Sequence, residues 1–219
     1  RATEIELYEG LEASSQNCWP NVNFDIGGIN NIISPFIPAG FYYKTFMWPK
    51  SFWKSIYEPL IRLSAGLGKS PIHPDPDIYD HKHVHCDVLV IGGGISGVIA
   101  AKVAAKNNLD TILIDDKNTL GGSTILQNNE NFKINENISR DWLLNEIEEL
   151  KKLKNLTIKT RTSVAAYHSY NYLLAKENLT DHLPKNKSSG IRQRLWKIRS
   201  NKVIIATGSI ERPLVFNNN

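Results

Sequence analysis

Asp87-Val88-Leu89-Val90-Ile91-Gly92-Gly93-Gly94-Ile95-Ser96-Gly97 is the stretch that decides the fold. Its first five residues form a short apolar run, the kind of strand buried on both faces of a parallel sheet. Val98 to Lys106 is built of small and helix-favouring residues, and Asn107-Asn108 closes that helix where a left-handed residue is wanted. Thr111 to Ile114 reads as a second strand, ending at Asp115-Asp116. Strand, helix and strand make a βαβ unit of about thirty residues. A glycine triplet alone is weak evidence. Here it has a buried strand before it, a helix opening on it, and an acid at the end of the next strand.

Each glycine has its own task. Gly92 permits the tight turn, Gly94 leaves room for a pyrophosphate, and Gly97 lets the helix approach the sheet. A diphosphate would then meet the positive end of the helix and its free N–H groups. Asp115 stands where a carboxylate accepts hydrogen bonds from a ribose, and Asp116 beside it would repel a 2′-phosphate, which disfavours NADP despite Lys117. FAD and NAD both use this fingerprint, and the residues do not choose between them. Three further places are expected near the same nucleotide. They are Gly122 and Ser123 in Leu120-Gly121-Gly122-Ser123, Val164 at the end of a third strand, and Thr207 and Gly208 after another apolar strand.

Outward from this core, Ser139 is expected to cap a helix from Arg140 to about Lys154, with acids early and lysines late. Thr157 to Thr160, Ser163 to Ala175 and Gln193 to Ile198 alternate like strands, and Lys202 to Gly208 reads as one more buried strand. The expected fold class is α/β: a Rossmann-like, parallel-sheet dinucleotide-binding domain over residues 87–219, incomplete at its C-terminal end, with a β-rich excursion at about 160–200. Before it lie a proline- and aspartate-rich linker, 71–86, and an aromatic, proline-rich segment, 1–70. That segment cannot be one long helix, because its prolines remove donors and restrict their predecessors. Within it, residues 51–65 read as a helix with a kink or restart at Pro59. Its aromatics either wrap a neighbouring domain or meet another subunit or a ligand.

Composition narrows the classes. With 41% hydrophobic and 22% charged residues the chain can bury a core, and its apolar runs are far short of a membrane span. No cleavable leader is expected at its start. The net charge of +4 comes from interspersed signs, so nucleic-acid binding is not expected, even around Arg192-Gln193-Arg194. Cys18 and Cys86 imply no disulfide framework, and a cytoplasmic location is the natural expectation. His81, His83 and His85 would line one side of an extended strand, too far apart in a row to close a tetrahedral metal site, so no metal is expected. No catalytic residue is nameable.

The chain resembles the alpha subunits of heterotetrameric sarcosine oxidases. The resemblance rests on Arg1-Ala2-Thr3-Glu4-Ile5-Glu6-Leu7, Asn17-Cys18-Trp19-Pro20, Pro38 to Pro49, and the run from Tyr79 through Cys86 into the glycine fingerprint. It implies oxidative demethylation of sarcosine to glycine with flavin, oxygen and tetrahydrofolate, in a complex with beta, gamma and delta subunits. It further implies NAD in this domain, at Ser96, Asp115, Asp116, Lys117, Ser123 and Val164, with flavin chemistry mainly on the beta subunit and its interface. The family usually has Asp-Glu where this chain has Asp115-Asp116, and its N-terminal ferredoxin-like and C-terminal folate-binding regions have no counterpart in these 219 residues. Taken alone, the chain is expected to be a piece that cannot oxidise sarcosine. A related FAD-holding amine, opine or cyanide-forming oxidoreductase subunit is one alternative. A non-catalytic scaffold with a structural nucleotide is another.

Overall fold

The computed structural model describes residues 6–13, 18–36, 40, 46, 48–66, 72–126, 132–184 and 190–209. Parts of the stretches carrying the resemblance, including Arg1 to Ile5, Asn17 and Phe41 to Thr45, lie outside the described residues. The chain divides into two compact units, one made mainly of residues 10–76, the other of the rest with a short N-terminal stretch, 4–9.

In the first unit the described elements are short, as the prolines require. Pro20–Asn21 pairs with Phe24–Asp25, and a one-turn helix follows at Ile29–Ile33. At Pro59 the expected irregularity takes a definite form: a wide turn over Trp53–Tyr57, closed by Glu58 N–H on the Trp53 carbonyl, passes into an α-helix at Glu58–Ser64. Proline in a first helical turn forfeits no bond the helix needs. Phe46 and Phe52 pack on the Tyr57 ring, while Trp19 and Trp48 stay exposed.

The second unit holds a six-stranded sheet. Its strands are β1 (Ile78–Ile91), β2 (Thr111–Ile114), β3 (Leu156–Lys159), β4 (Thr162–His168), β5 (Tyr172–Asn178) and β6 (Ile191–Ile205), in spatial order β3-β2-β1-β6-β5-β4. The first four in that order run parallel, whereas β5 and β4 return antiparallel. Helices α1 (Ile95–Lys106) and α2 (Ser139–Leu150) connect the parallel strands. Asn108 adopts the left-handed conformation expected after α1. α2 stops sooner than its lysines suggest, because its last turn tightens: Lys151 N–H bonds Ile147 and Lys152 N–H bonds Glu149. Ser139 does not cap it. The flanking position is Ile138, and buried Ser139 donates its amide to Phe132.

Two apolar cores follow from the alternation of side chains along β1. Val88 and Val90 face α1 and α2 with Val98, Ala101, Leu113, Leu143 and Ile147. Leu89 faces the other way with Ile112, Ile114, Leu173, Ala175, Trp196 and Ile198. Full burial of such side chains contributes about 1.5–3 kcal/mol each. The second core therefore lies between the parallel sheet and the antiparallel strands, and the register requires this. Thr162, Glu177, Arg194 and Asp80 are cross-strand neighbours, only three strand spacings, or about 14 Å, from end to end. Thr162 N–H is bonded to Asp115, beside the far end of β1, which a straight strand would put roughly 36 Å from Asp80. The long β1–β6 ribbon folds back over the sheet.

Two further expectations change. Residues from Ile78 to Cys86, read as linker, are the first half of β1 and pair along β6. The two strands expected at 193–198 and 202–208 are the single 15-residue strand β6. Its far end is not buried: β5 accompanies it only to Arg199, and Ile205 is 63% exposed. No described helix is long and apolar enough to cross a membrane.

Candidate functional site

The site lies at the carboxyl end of the parallel strands, where β1 turns into α1. Gly92 has φ +104°, and a Cβ there would sit 2.3 Å from the Ala206 carbonyl oxygen, so both conformation and crowding require glycine. A Cβ on Gly97 would lie 1.7 Å from the Gly92 carbonyl oxygen: the helix is packed directly on the turn. Gly94 differs. Among the described residues nothing lies within 4 Å of an added Cβ there. It occupies the N-cap position of α1 and offers the helix's first N–H groups no side-chain bond, and among the described residues it faces open space.

Asp115 is 9% exposed, and its carboxylate accepts Gly93 N–H at 2.5 Å through Oδ2 and Lys117 N–H at 2.8 Å through Oδ1. It thus fixes the glycine turn from below, a task the sequence reading did not assign to it. Each oxygen keeps a second lone pair. Asp116 and Lys117 are exposed and pair with each other at 3.5 Å.

The Leu120-Gly121-Gly122 segment closes on the same turn. Gly121 N–H donates to the Gly93 carbonyl at 2.7 Å, and a Cβ on Gly122 would lie 3.3 Å from the Gly94 Cα. Ser96 and Ser123 are exposed beside it. Ala206 N–H bonds Ile91, which carries exposed Thr207 and Gly208 past the fingerprint. Val164, expected at the end of the third strand, instead lies near the start of β4, since β3 ends at Lys159; it sits two residues beyond Thr162, whose amide bonds the Asp115 carbonyl at 2.8 Å, and it packs on the second core. The structure thus gathers Gly92, Gly94, Ser96, Gly97, Asp115, Gly122, Ser123 and Thr207 around one turn, with Asp116, Lys117, Val164 and Gly208 on its margins.

Sequence reasoning missed Glu6 and Arg161. The Glu6 carboxylate accepts two bonds from the Arg161 guanidinium, at 2.6 and 2.8 Å, and one from the Asn118 amide at 2.9 Å. Arg161 holds the Glu6 carboxyl below the usual carboxylate range. No local pattern could have joined residues so far apart in the chain.

Other groups carry less chemistry. His81 and His83 sit edge to face, ring centroids 6.0 Å apart, and among the described residues no group of histidine, cysteine and acid could hold a metal ion. Burial pushes the Cys86 thiol up, the opposite of what a nucleophile needs. Lys159 places its ammonium 3.8 Å from the centre of the Trp196 ring, and burial pushes its pKa down.

Comparison with known proteins adds the kinship. A family described as FAD dependent oxidoreductase matches residues 87–198. The chain is 43% identical over all its 219 residues to sarcosine oxidase subunit alpha of Rhizobium meliloti (strain 1021), covering 22% of that protein. It is 38% identical over 158 residues to sarcosine oxidase subunit alpha of Corynebacterium sp. (strain P-1), covering 72% of this chain and 16% of that one. The chain thus spans about a fifth of the length of the curated relatives it matches. Among solved structures it is similar to L-proline dehydrogenase from P. horikoshii, with 26% identity and a TM-score of 0.49 over 69% of this chain and 28% of the other.

Proposed function

Because the chain belongs to the FAD-dependent oxidoreductase family, we propose that it forms the dinucleotide-binding part of an alpha subunit in a sarcosine oxidase-like complex. The observation that carries the reading is the open space at Gly94. It lies before an uncapped helix start and is bordered by Gly122, while crowding at Gly92 and Gly97 keeps the turn tight. A built glycine cradle with one unfilled glycine fits a diphosphate.

In this reading the N–H groups at the start of α1 receive the diphosphate, with Ser96 and Ser123 at its flanks. The lone pairs of Asp115 not used by Gly93 and Lys117 accept ribose hydroxyls, Asp116 and Lys117 border the sugar, and Val164 offers backbone to the adenine edge. Thr207 and Gly208 line the opposite wall. A nicotinamide or flavin ring bound here supplies two-electron, hydride-accepting chemistry. The chain's own contribution is binding and orientation.

NAD is the first reading, because the alpha subunits this chain resembles imply it; the match to the FAD-dependent family over residues 87–198 favours FAD as the second. Mass spectrometry of the nucleotide released by denaturing the purified complex tests both. NAD supports the first, FAD supports the second, and neither overturns the site. The oxidation of sarcosine to glycine, the partner subunits and a cytoplasmic location belong to the same proposal. Turnover of sarcosine by these 219 residues without a partner would overturn the division of labour it assumes.

A further inference from the structure

We infer that Glu6 is a positioning residue for the adenosine end of the dinucleotide site. The inference rests on the dinucleotide reading above. It starts from two turns that meet at Asp115. Lys159 O accepts Asp115 N–H, Asp115 O accepts Thr162 N–H, and Lys117 O accepts Arg161 N–H at 2.8 Å. These backbone bonds zip residues 115–117 to residues 159–162. Asp115 also receives Lys117 N–H on its side chain, so the conformation of the 115–118 turn decides where its free lone pairs point.

Glu6 bridges those two turns from outside. One carboxylate oxygen is shared by the Asn118 amide and an Arg161 guanidinium nitrogen, and the other takes Arg161 Nε. Both partners of the pair are about one-third exposed, so the pair is shielded in part from water. Its fork-on-fork geometry is the strong and directional form of the interaction. Arg161 itself sits at φ +51°, a left-handed backbone that a non-glycine residue adopts only when its surroundings hold it there. Backbone bonds hold it on both sides, Arg161 N–H on Lys117 O and Asn178 N–H on Arg161 O, and the carboxylate from the N-terminal stretch fixes its side chain. His182 lies near enough for a positive charge on it to add to the attraction. The three hydrogen bonds that Glu6 accepts among the described residues all come from the two turns. Its consequence is therefore local, and it falls on the acid expected to hold the ribose.

The test uses the full-length subunit in its complex, stripped of nucleotide, with ADP as probe because it is the half that NAD and FAD share. Glu6→Ala is expected to weaken ADP binding about five- to tenfold, the scale of one well-formed charged bridge. The thermal midpoint of the nucleotide-free protein should hardly move. The exchange of charges, Glu6→Arg with Arg161→Glu, should recover most of the loss. In an Asp115→Asn background Glu6→Ala should cost little more, because it acts through that acid. Unchanged ADP affinity in Glu6→Ala would overturn the inference while leaving the dinucleotide site standing. Additive losses in the double variant would also overturn it. A wild-type complex that binds neither ADP nor either dinucleotide would bring down both readings together.

Discussion

At the residue scale, the three glycines of the fingerprint are not equivalent, and their surroundings separate their roles. At Gly94, backbone angles of φ −71° and ψ −173° suit any residue, and an added methyl group meets open space. Gly94→Ala should therefore fold with nearly wild-type stability yet lose dinucleotide affinity by about tenfold or more, since its methyl group would fill the cradle. Gly97→Ala should do the reverse in order of cause: the methyl group collides with the Gly92 carbonyl, costing about 3 kcal/mol of stability. Thermal unfolding beside nucleotide titration distinguishes the two. Asp115→Asn keeps the size but replaces an acceptor with a donor facing an amide, so about 1–3 kcal/mol of stability should go with the affinity. These roles were legible in the sequence because each is local: a turn, an uncapped helix start, an acid after the next strand. The bond from Gly93 to Asp115 was not, since it depends on how closely the acid approaches the turn.

At the element scale, the long strands are where the reading of the sequence fell short. The half of β1 from Ile78 to Cys86 is polar on one face, with Tyr79, His81 and His85 exposed, and only Val84 and Cys86 reveal the other face. Such a stretch after three prolines looks like a linker. In β6, Arg199-Ser200-Asn201 looks like a break, yet Ser200 is buried and spends its hydroxyl on the Lys202 carbonyl at 2.6 Å, which lets the strand pass through. The fold-back of this ribbon is sealed by Trp196, whose indole N–H donates to Glu177 at 2.6 Å beneath the Lys159 ammonium. Trp196→Ala should cost about 3–5 kcal/mol, read by denaturant unfolding. Lys159 gives a pH signature. Burial holds its folded pKa below the ordinary lysine value, with Glu177 opposing. Between that lowered pKa and about 10.4 the unfolded chain keeps a proton that the folded chain has shed, so stability should rise with pH in that window. Lys159→Met should flatten the rise.

At the scale of the whole molecule, the carboxyl half of β6 offers a strand edge with no described partner, ending in exposed Ile204 and Ile205. An apolar edge of this kind templates pairing with another strand. Produced alone, the 219-residue chain should self-associate with rising concentration in light scattering, and Ile205→Lys should reduce that. The parallel and antiparallel halves of the sheet share β1 and β6 as continuous strands, with one apolar cluster between them. Neither half has a seam along which to open. Amide exchange in this unit should accordingly fall into a single protection class across 84–91 and 196–199, so that heat or denaturant releases cradle and cover in the same event.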